Sequence, residues 1–258
     1  MITVLQIFIV LVLIVVIILF VFRIRRTGET IPLPENYKIL LNDYVKFYQQ
    51  LDKEGKEKFE ERVRLFLASV QITGANAIVE DIDRVFIAAG AIIPVYAFSD
   101  WQYVNLHEVL VYPGTFNEDF DQDGLNRSIS GMVGTGAMQN VMIISKWQLR
   151  QGFINNSDKR NTAIHEFAHL IDKMDGTMDG IPEIILERQY IPRWVNIMNT
   201  TIQQMKNYGS DIDMYGATNQ AEFFAVISEY FFERPDLLKS SHPELYEMLR
   251  EIFKAGTQ

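Results

Sequence analysis

Cysteine is absent from all 258 residues of this chain, and histidine occurs only four times. The first absence excludes a disulfide framework and any thiolate metal site, so a metal would have to be held by His, Asp or Glu. Excess positive charge is missing too, with 24 Lys and Arg against 33 Asp and Glu and a formal net charge of −9. Apart from three arginines near the N-terminus no basic cluster offsets this balance, which argues against a nucleic-acid footprint. Hydrophobic residues make up 48% of the chain, enough for a substantial core, although part of that share lies in the first 22 residues.

Those residues stand apart. The run 2–22, ITVLQIFIVLVLIVVIILFVF, carries no charge and only Thr3 and Gln6 as polar side chains. A helix of that length, rising about 1.5 Å per residue, crosses a bilayer core of about 30 Å. Arg23, Arg25 and Arg26 follow at once. The basic start, shorter apolar run and small-residue cleavage site of a signal peptide are not found. The expectation is an uncleaved transmembrane anchor at 2–22, with the arginines holding the following domain on the cytoplasmic side. A polar linker at 23–35, punctuated by Pro32 and Pro34, leads into one domain at 36–258.

Within that domain the hydrophobic period changes twice. Apolar residues at three- and four-residue spacing predict helices in YKILLNDYVKFYQQL and KEKFEERVRLFLASVQI, joined by a turn at Gly55. IDRVFIAAGAIIPVYAF reads as a largely buried helix ended by Pro94. The β-branched runs at 107–113 and 139–145 read as strands, with a Gly-, Asp- and Ser-rich loop and a further strand between them. Helical periodicity returns at 157–173, 186–207, 219–233 and 242–254. Helices around a small sheet make an α+β fold. Two weak motifs carry nothing: Gly134 and Gly136 lack the context of a nucleotide loop, and the Asp119 run lacks the closing glutamate of a calcium loop, Ser130 standing there.

NTAIHEFAHLID, residues 161–172, holds two of the four histidines. On a helix His165 and His169 share one face a turn apart, so both imidazoles can reach one point. Two neutral imidazoles so placed can occupy two corners of a zinc tetrahedron, with Glu166 free to take a proton from attacking water. The bland alternative, two solvated histidines on a surface helix, fits poorly because Ala163, Ile164, Phe167, Ala168, Leu170 and Ile171 surround them. A hydrolytic zinc site takes a third protein ligand. Glu222 and Glu229 lie two turns apart on nearly one face of an apolar helix, and composition leaves the choice between them open. Asn219 and Glu222 also fit a helix cap with its N3 acid.

HEFAHLID followed by YGATNQAEFFAVISEYFF resembles the zinc-dependent peptidases of the Mlc titration factor A family. The metalloprotease domain of anthrax lethal factor is similar around the same two motifs. The likeness covers most of residues 36–255; the apolar N-terminal run is not part of it. It implies a zincin-like metallopeptidase domain, mostly helical with a small mixed sheet, here preceded by one transmembrane helix. It implies one Zn2+ per chain on His165, His169 and Glu222, with Glu166 as general base and Tyr215 as phenol donor to the oxyanion. Asp172 and Glu229 are expected behind the ligands. The strand in AMQNVMIIS is expected to line the cleft and take an extended peptide. The resemblance leaves two functions: a membrane-anchored peptidase acting on peptide or protein substrates, or a zinc-containing regulatory protein that sequesters a partner such as a transcriptional repressor.

Overall fold

A computed structural model describes residues 33–123, 127–155 and 158–254. Helices α1 (Tyr37–Tyr44), α2 (Lys46–Gln50) and α3 (Lys53–Ser69) come first. Gly55 lies inside the first turn of α3, its N–H donating to the Asp52 cap at 2.7 Å, so the expected turn is the start of the helix. Helix α3 ends at Ser69, earlier than its apolar period suggested, and Gln71–Gly74 forms strand β1. Val70, Ile72 and Thr73 are β-branched, and a short apolar run at a helix end reads equally as helix or strand. Helix α4 (Asp81–Ile92) passes into a 3-10 turn at Ile93–Val95, where Pro94 stops it as expected.

Strands β2 (Glu108–Tyr112), β3 (Gly131–Val133) and β4 (Val141–Ser145) complete a sheet in the order β1-β2-β4-β3. The first three neighbours run parallel and β3 runs antiparallel to β4, which makes the expected small mixed sheet. Side chains alternate between faces. Val109, Val111, Met142 and Ile144 enter the main core, while Tyr112 and Ile143 join Phe116 in a smaller cluster. β4 is paired on both sides, so its backbone is not open to a peptide and the expectation that 139–145 would offer it is corrected; the edge strands are β1 and β3, and of these β3 packs against the helix that carries His165.

Helix α5 (Lys146–Ile154) follows β4 without a break, with Ser145 as its cap. It escaped the sequence reading because Trp147 and Ile154 are exposed and blur its apolar face. Then come α6 (Thr162–Asp172), α7 (Ile191–Tyr208), α8 (Gln220–Glu233), α9 (Pro235–Ser241) and α10 (Pro243–Phe253). The short α9, with Pro235 at its start, was not anticipated either. Pro192, in the first turn of α7, explains why that helix begins later than the apolar pattern at 186.

The transmembrane helix of the expected fold is corrected. Among the described residues no helix is long and apolar enough to cross a membrane. A span needs about 20 apolar residues, whereas buried α4 has 12 and the 18-residue α7 carries Arg193 and Lys206. The run 2–22, on which the anchor rested, lies outside the described residues. The single-pass localisation and its cytoplasmic orientation are withdrawn with it.

Helix α6 sits at the centre. Ala163, Ile164, Phe167, Ala168, Leu170 and Ile171 are wholly buried, and each large apolar side chain among them contributes about 1.5–3 kcal/mol by leaving water. Gly90 brings α4 close: a Cβ there would lie 2.5 Å from that of Ala163. At the start of α6, Asn161 caps Ile164 N–H at 3.2 Å, and its Nδ2 donates to Glu233 Oε1 at 2.9 Å. At its end, Asp172 Oδ2 accepts Gly180 N–H at 2.8 Å, and Gly180 in turn accepts the buried Trp194 indole N–H at 2.7 Å. Gly180 has φ +78°, and a Cβ would meet Gln220 O at 2.3 Å.

Two predictions follow from these tethers. Gly180→Ala forces an L side chain into left-handed backbone against a carbonyl, and should cost roughly 2 kcal/mol or more of stability. Denaturant titration checks this, and unchanged stability refutes it. The second concerns Glu233, whose carboxyl is pushed up to about 7 by burial, against the bond from Asn161. A carboxyl raised on folding favours the native state below its unfolded pKa, and that advantage is lost as pH rises towards 7. Glu233→Gln should therefore gain in melting temperature relative to wild type between pH 5 and pH 8. A difference that stays constant with pH contradicts it.

Candidate active site

Two helices and one tight turn supply the site. α6 presents His165 and His169 one turn apart, α8 presents Glu222 in its first turn, and the 3-10 turn Met214–Ala217 presents Tyr215. Asn219 accepts Glu222 N–H at 2.9 Å and so caps α8, while the Glu222 side chain turns to the histidines. The cap uses the backbone of Glu222 and leaves its carboxylate free to face the histidines.

His165 Nε2 lies 3.2 Å from His169 Nε2 and 3.1 Å from Glu222 Oε2, and His169 Nε2 lies 3.3 Å from the same oxygen. A zinc tetrahedron with bonds of about 2.0–2.1 Å has edges of about 3.3–3.4 Å. The triangle is nearly that face. Each of the three atoms can give a lone pair to a cation at this spacing, so the residues fit a divalent metal ion. Among the described residues this is the one group of three or more such side chains gathered closely enough to hold one.

Glu229 stands behind His165, its Oε1 2.7 Å from Nδ1. An ionised carboxylate only accepts, so Nδ1 carries a proton in either charge state of the ring, and Nε2 is the atom left to meet a cation through its lone pair. The other Glu229 oxygen accepts the backbone N–H of Asn161 at 2.6 Å. Asp172 makes no hydrogen bond to either histidine: its Oδ2 accepts Gly180 N–H, and its buried Oδ1 has no hydrogen-bond partner among the described residues. Of the two remaining histidines, His242 pairs with Asp211 at 2.6 Å, and neither it nor His107 joins the cluster.

Electrostatics follow from burial. Desolvation works against a charged His165, yet the Glu229 and Glu222 carboxylates outweigh it and raise its pKa well above the usual imidazole range. Burial alone would raise Glu222, but His165 and His169 hold its carboxyl well below normal. Glu166, 4% exposed and outside the triangle, is raised by burial. Tyr215 is 53% exposed, and desolvation with the Glu222 and Glu166 carboxylates pushes its phenol up to about 12, so it stays a donor.

Sequence reasoning missed how Tyr215 is held. Asp213 accepts Tyr215 N–H at 3.0 Å, and its other oxygen accepts Arg160 Nε at 2.9 Å. Arg160 and Asn161 are neighbours, so one short segment braces both the tyrosine turn and Glu229. An Asn before a helical run signals a cap, but no local pattern could have paired Arg160 with Asp213.

The family comparison covers nearly the whole chain: residues 21–254 match the glucose-regulated metallo-peptidase M90 family. A protein of Synechocystis sp., slr2042, described as uncharacterised, is 33% identical over 242 residues, 86% of this chain and 84% of its own length. The Mlc titration factor A of Pectobacterium atrosepticum is 30% identical over 177 residues, 63% of this chain and 64% of its own. That of Yersinia pestis is 33% identical over 159 residues, 57% of this chain and 58% of its own. This chain thus spans less than two thirds of either titration factor. With a metal-ready His, His and Glu cluster at its centre and a match over residues 21–254, the chain belongs to the glucose-regulated metallo-peptidase M90 family.

Proposed function

We propose that this chain is a zinc-dependent peptidase in which His165, His169 and Glu222 hold the ion and Glu166 is the general base. One observation carries the reading: three ligand atoms converge at 3.1–3.3 Å, with a buried carboxylate that is not among them on the same helix. Zinc, when bound, supplies a Lewis acid that makes water nucleophilic near neutral pH and polarises a carbonyl.

The residues of the chain do the rest. Glu229 fixes the tautomer of His165 and sharpens its basicity towards the ion. Glu166 takes the proton of the attacking water and passes it to the leaving amine, a task suited to a carboxyl raised by burial. Tyr215, protonated and partly open to solvent, donates to the oxygen that becomes negative. An extended peptide adds to the free edge of β3, which supplies backbone hydrogen bonds without regard to side chains.

The names of two relatives support a second reading, in which the domain acts by binding a regulatory protein partner, such as a transcriptional repressor, and zinc serves as scaffold. A structural zinc site takes four protein ligands and has no use for a free carboxylate, so Glu166 favours the peptidase.

The purified chain should carry about one zinc, as a site of three protein ligands implies, and His165→Ala with His169→Ala should lose it. Elemental analysis showing full occupancy in that double variant defeats the site. Glu222→Gln should weaken zinc affinity more than Glu229→Gln, whose loss should fall in the about 10–100-fold range of outer partners. The reverse order would exchange their roles. Glu166→Gln should keep zinc while peptide hydrolysis falls by at least about 10²-fold, and Tyr215→Phe should spare zinc but slow turnover by about 10²-fold or more. The assay is single-turnover cleavage of a peptide pool normalised to zinc. Wild-type rates in Glu166→Gln, or no chelator-sensitive cleavage in the wild type, would sink the enzyme and leave the binding protein.

A further inference from the structure

Gly131 opens the edge strand β3, and its φ is not positive. Its backbone therefore makes no demand for glycine, which weakens a strand and packs nothing. What the residue does is leave room. A Cβ at 131 would lie 2.3 Å from Glu166 Oε1 and 2.6 Å from both its Cδ and its Cγ, closer than the 3.0 Å that real contacts respect. All three nearest atoms belong to Glu166.

We infer that Gly131 is a positioning residue, whose missing side chain seats the Glu166 carboxylate directly against the backbone of β3. The inference deepens the peptidase reading and rests on it for the role of Glu166. With no side chain between them, the base and the strand on which a peptide would pair are in contact. Beyond the other end of β3 the same helix makes a second contact: Lys173, just past the end of α6, donates to Gly134 O at 2.7 Å and to Gln139 O at 3.3 Å. α6 thus carries two metal ligands and also sets the distance to the docking strand at two points. A shift in that distance would move the proton acceptor relative to the bound carbonyl, and misplacement by about 1 Å can cost about 10²-fold in rate.

The group that must yield to a new Cβ is the far end of a flexible side chain, not backbone. Gly131→Ala should therefore keep its zinc and melt within about 2–3 °C of wild type, the shift that less than about 1 kcal/mol gives in a chain of this size. Its kcat should fall at least about tenfold with KM little changed, because the backbone edge of β3 still docks the peptide. In a Glu166→Gln background the same substitution should cost nothing further, since there is no base left to misplace. A crystal structure of Gly131→Ala should show the Glu166 carboxylate displaced by about 1 Å with β3 unmoved. Losses that multiply across the two backgrounds, or a strand that shifts while the carboxylate stays, would overturn the assignment. If the wild type proves to have no hydrolysis, the proposed activity fails, and the crystal structure alone decides whether Gly131 seats Glu166.

Discussion

The site depends on the Glu229 carboxylate. A buried carboxylate is costly by several kcal/mol unless its oxygens are matched, and here one faces the imidazole of His165 while the other accepts the N–H of Asn161. Those partners are the first of the two clustered histidines and the cap of the same helix. α6 cannot slide or rotate against α8 without stranding that charge. Glu222, two turns earlier on α8, is thereby fixed in register with His165 and His169. The apolar burial of α6 stabilises the pair of helices, and this carboxylate decides how they are aligned.

Much of this was legible before any coordinates. The i, i+4 histidines with an adjacent glutamate force one geometry if the segment is helical, and the apolar residues around them made it so. Asn219 announced its helix because a capping side chain is a local device, whereas Asn161, inside a run expected to be helical from 157, was not read as the cap it is. The choice between Glu222 and Glu229 was not local. Both sit on one face of α8, and only the position of α6 decides which of them faces the Nε2 atoms. The same limit explains the strands: β4 is the more apolar and was expected to take the peptide, yet an apolar run marks the centre of a sheet, not its edge.

Other misreadings have equally plain causes. β1 was taken as a helix end because four residues cannot establish a period, and α5 was overlooked because its exposed Trp147 and Ile154 interrupt the polar face. Asp172 was placed behind the histidines by helical spacing alone. Spacing gives direction, but one oxygen of that carboxylate is taken by Gly180 N–H, contributed by a loop that no period describes. The hydrophobic run at 2–22 was read from length and polarity, and the described helices offer no span to match it.

The ligand triangle also bears on how the chain holds together. His165 and His169 precede α7, and Glu222 follows it, so an ion gripped by all three acts as a cross-link that closes the intervening segment into a loop. Such a link lowers the entropy of the unfolded chain and adds stability that grows with the logarithm of free ion concentration. Chelation would then act beyond the chemistry, loosening α7, α8 and the terminal helices packed on α8 while the sheet and α3 to α5 keep their own core contacts. An ion held there would in that sense be a clasp between the helices that precede α7 and those that follow it.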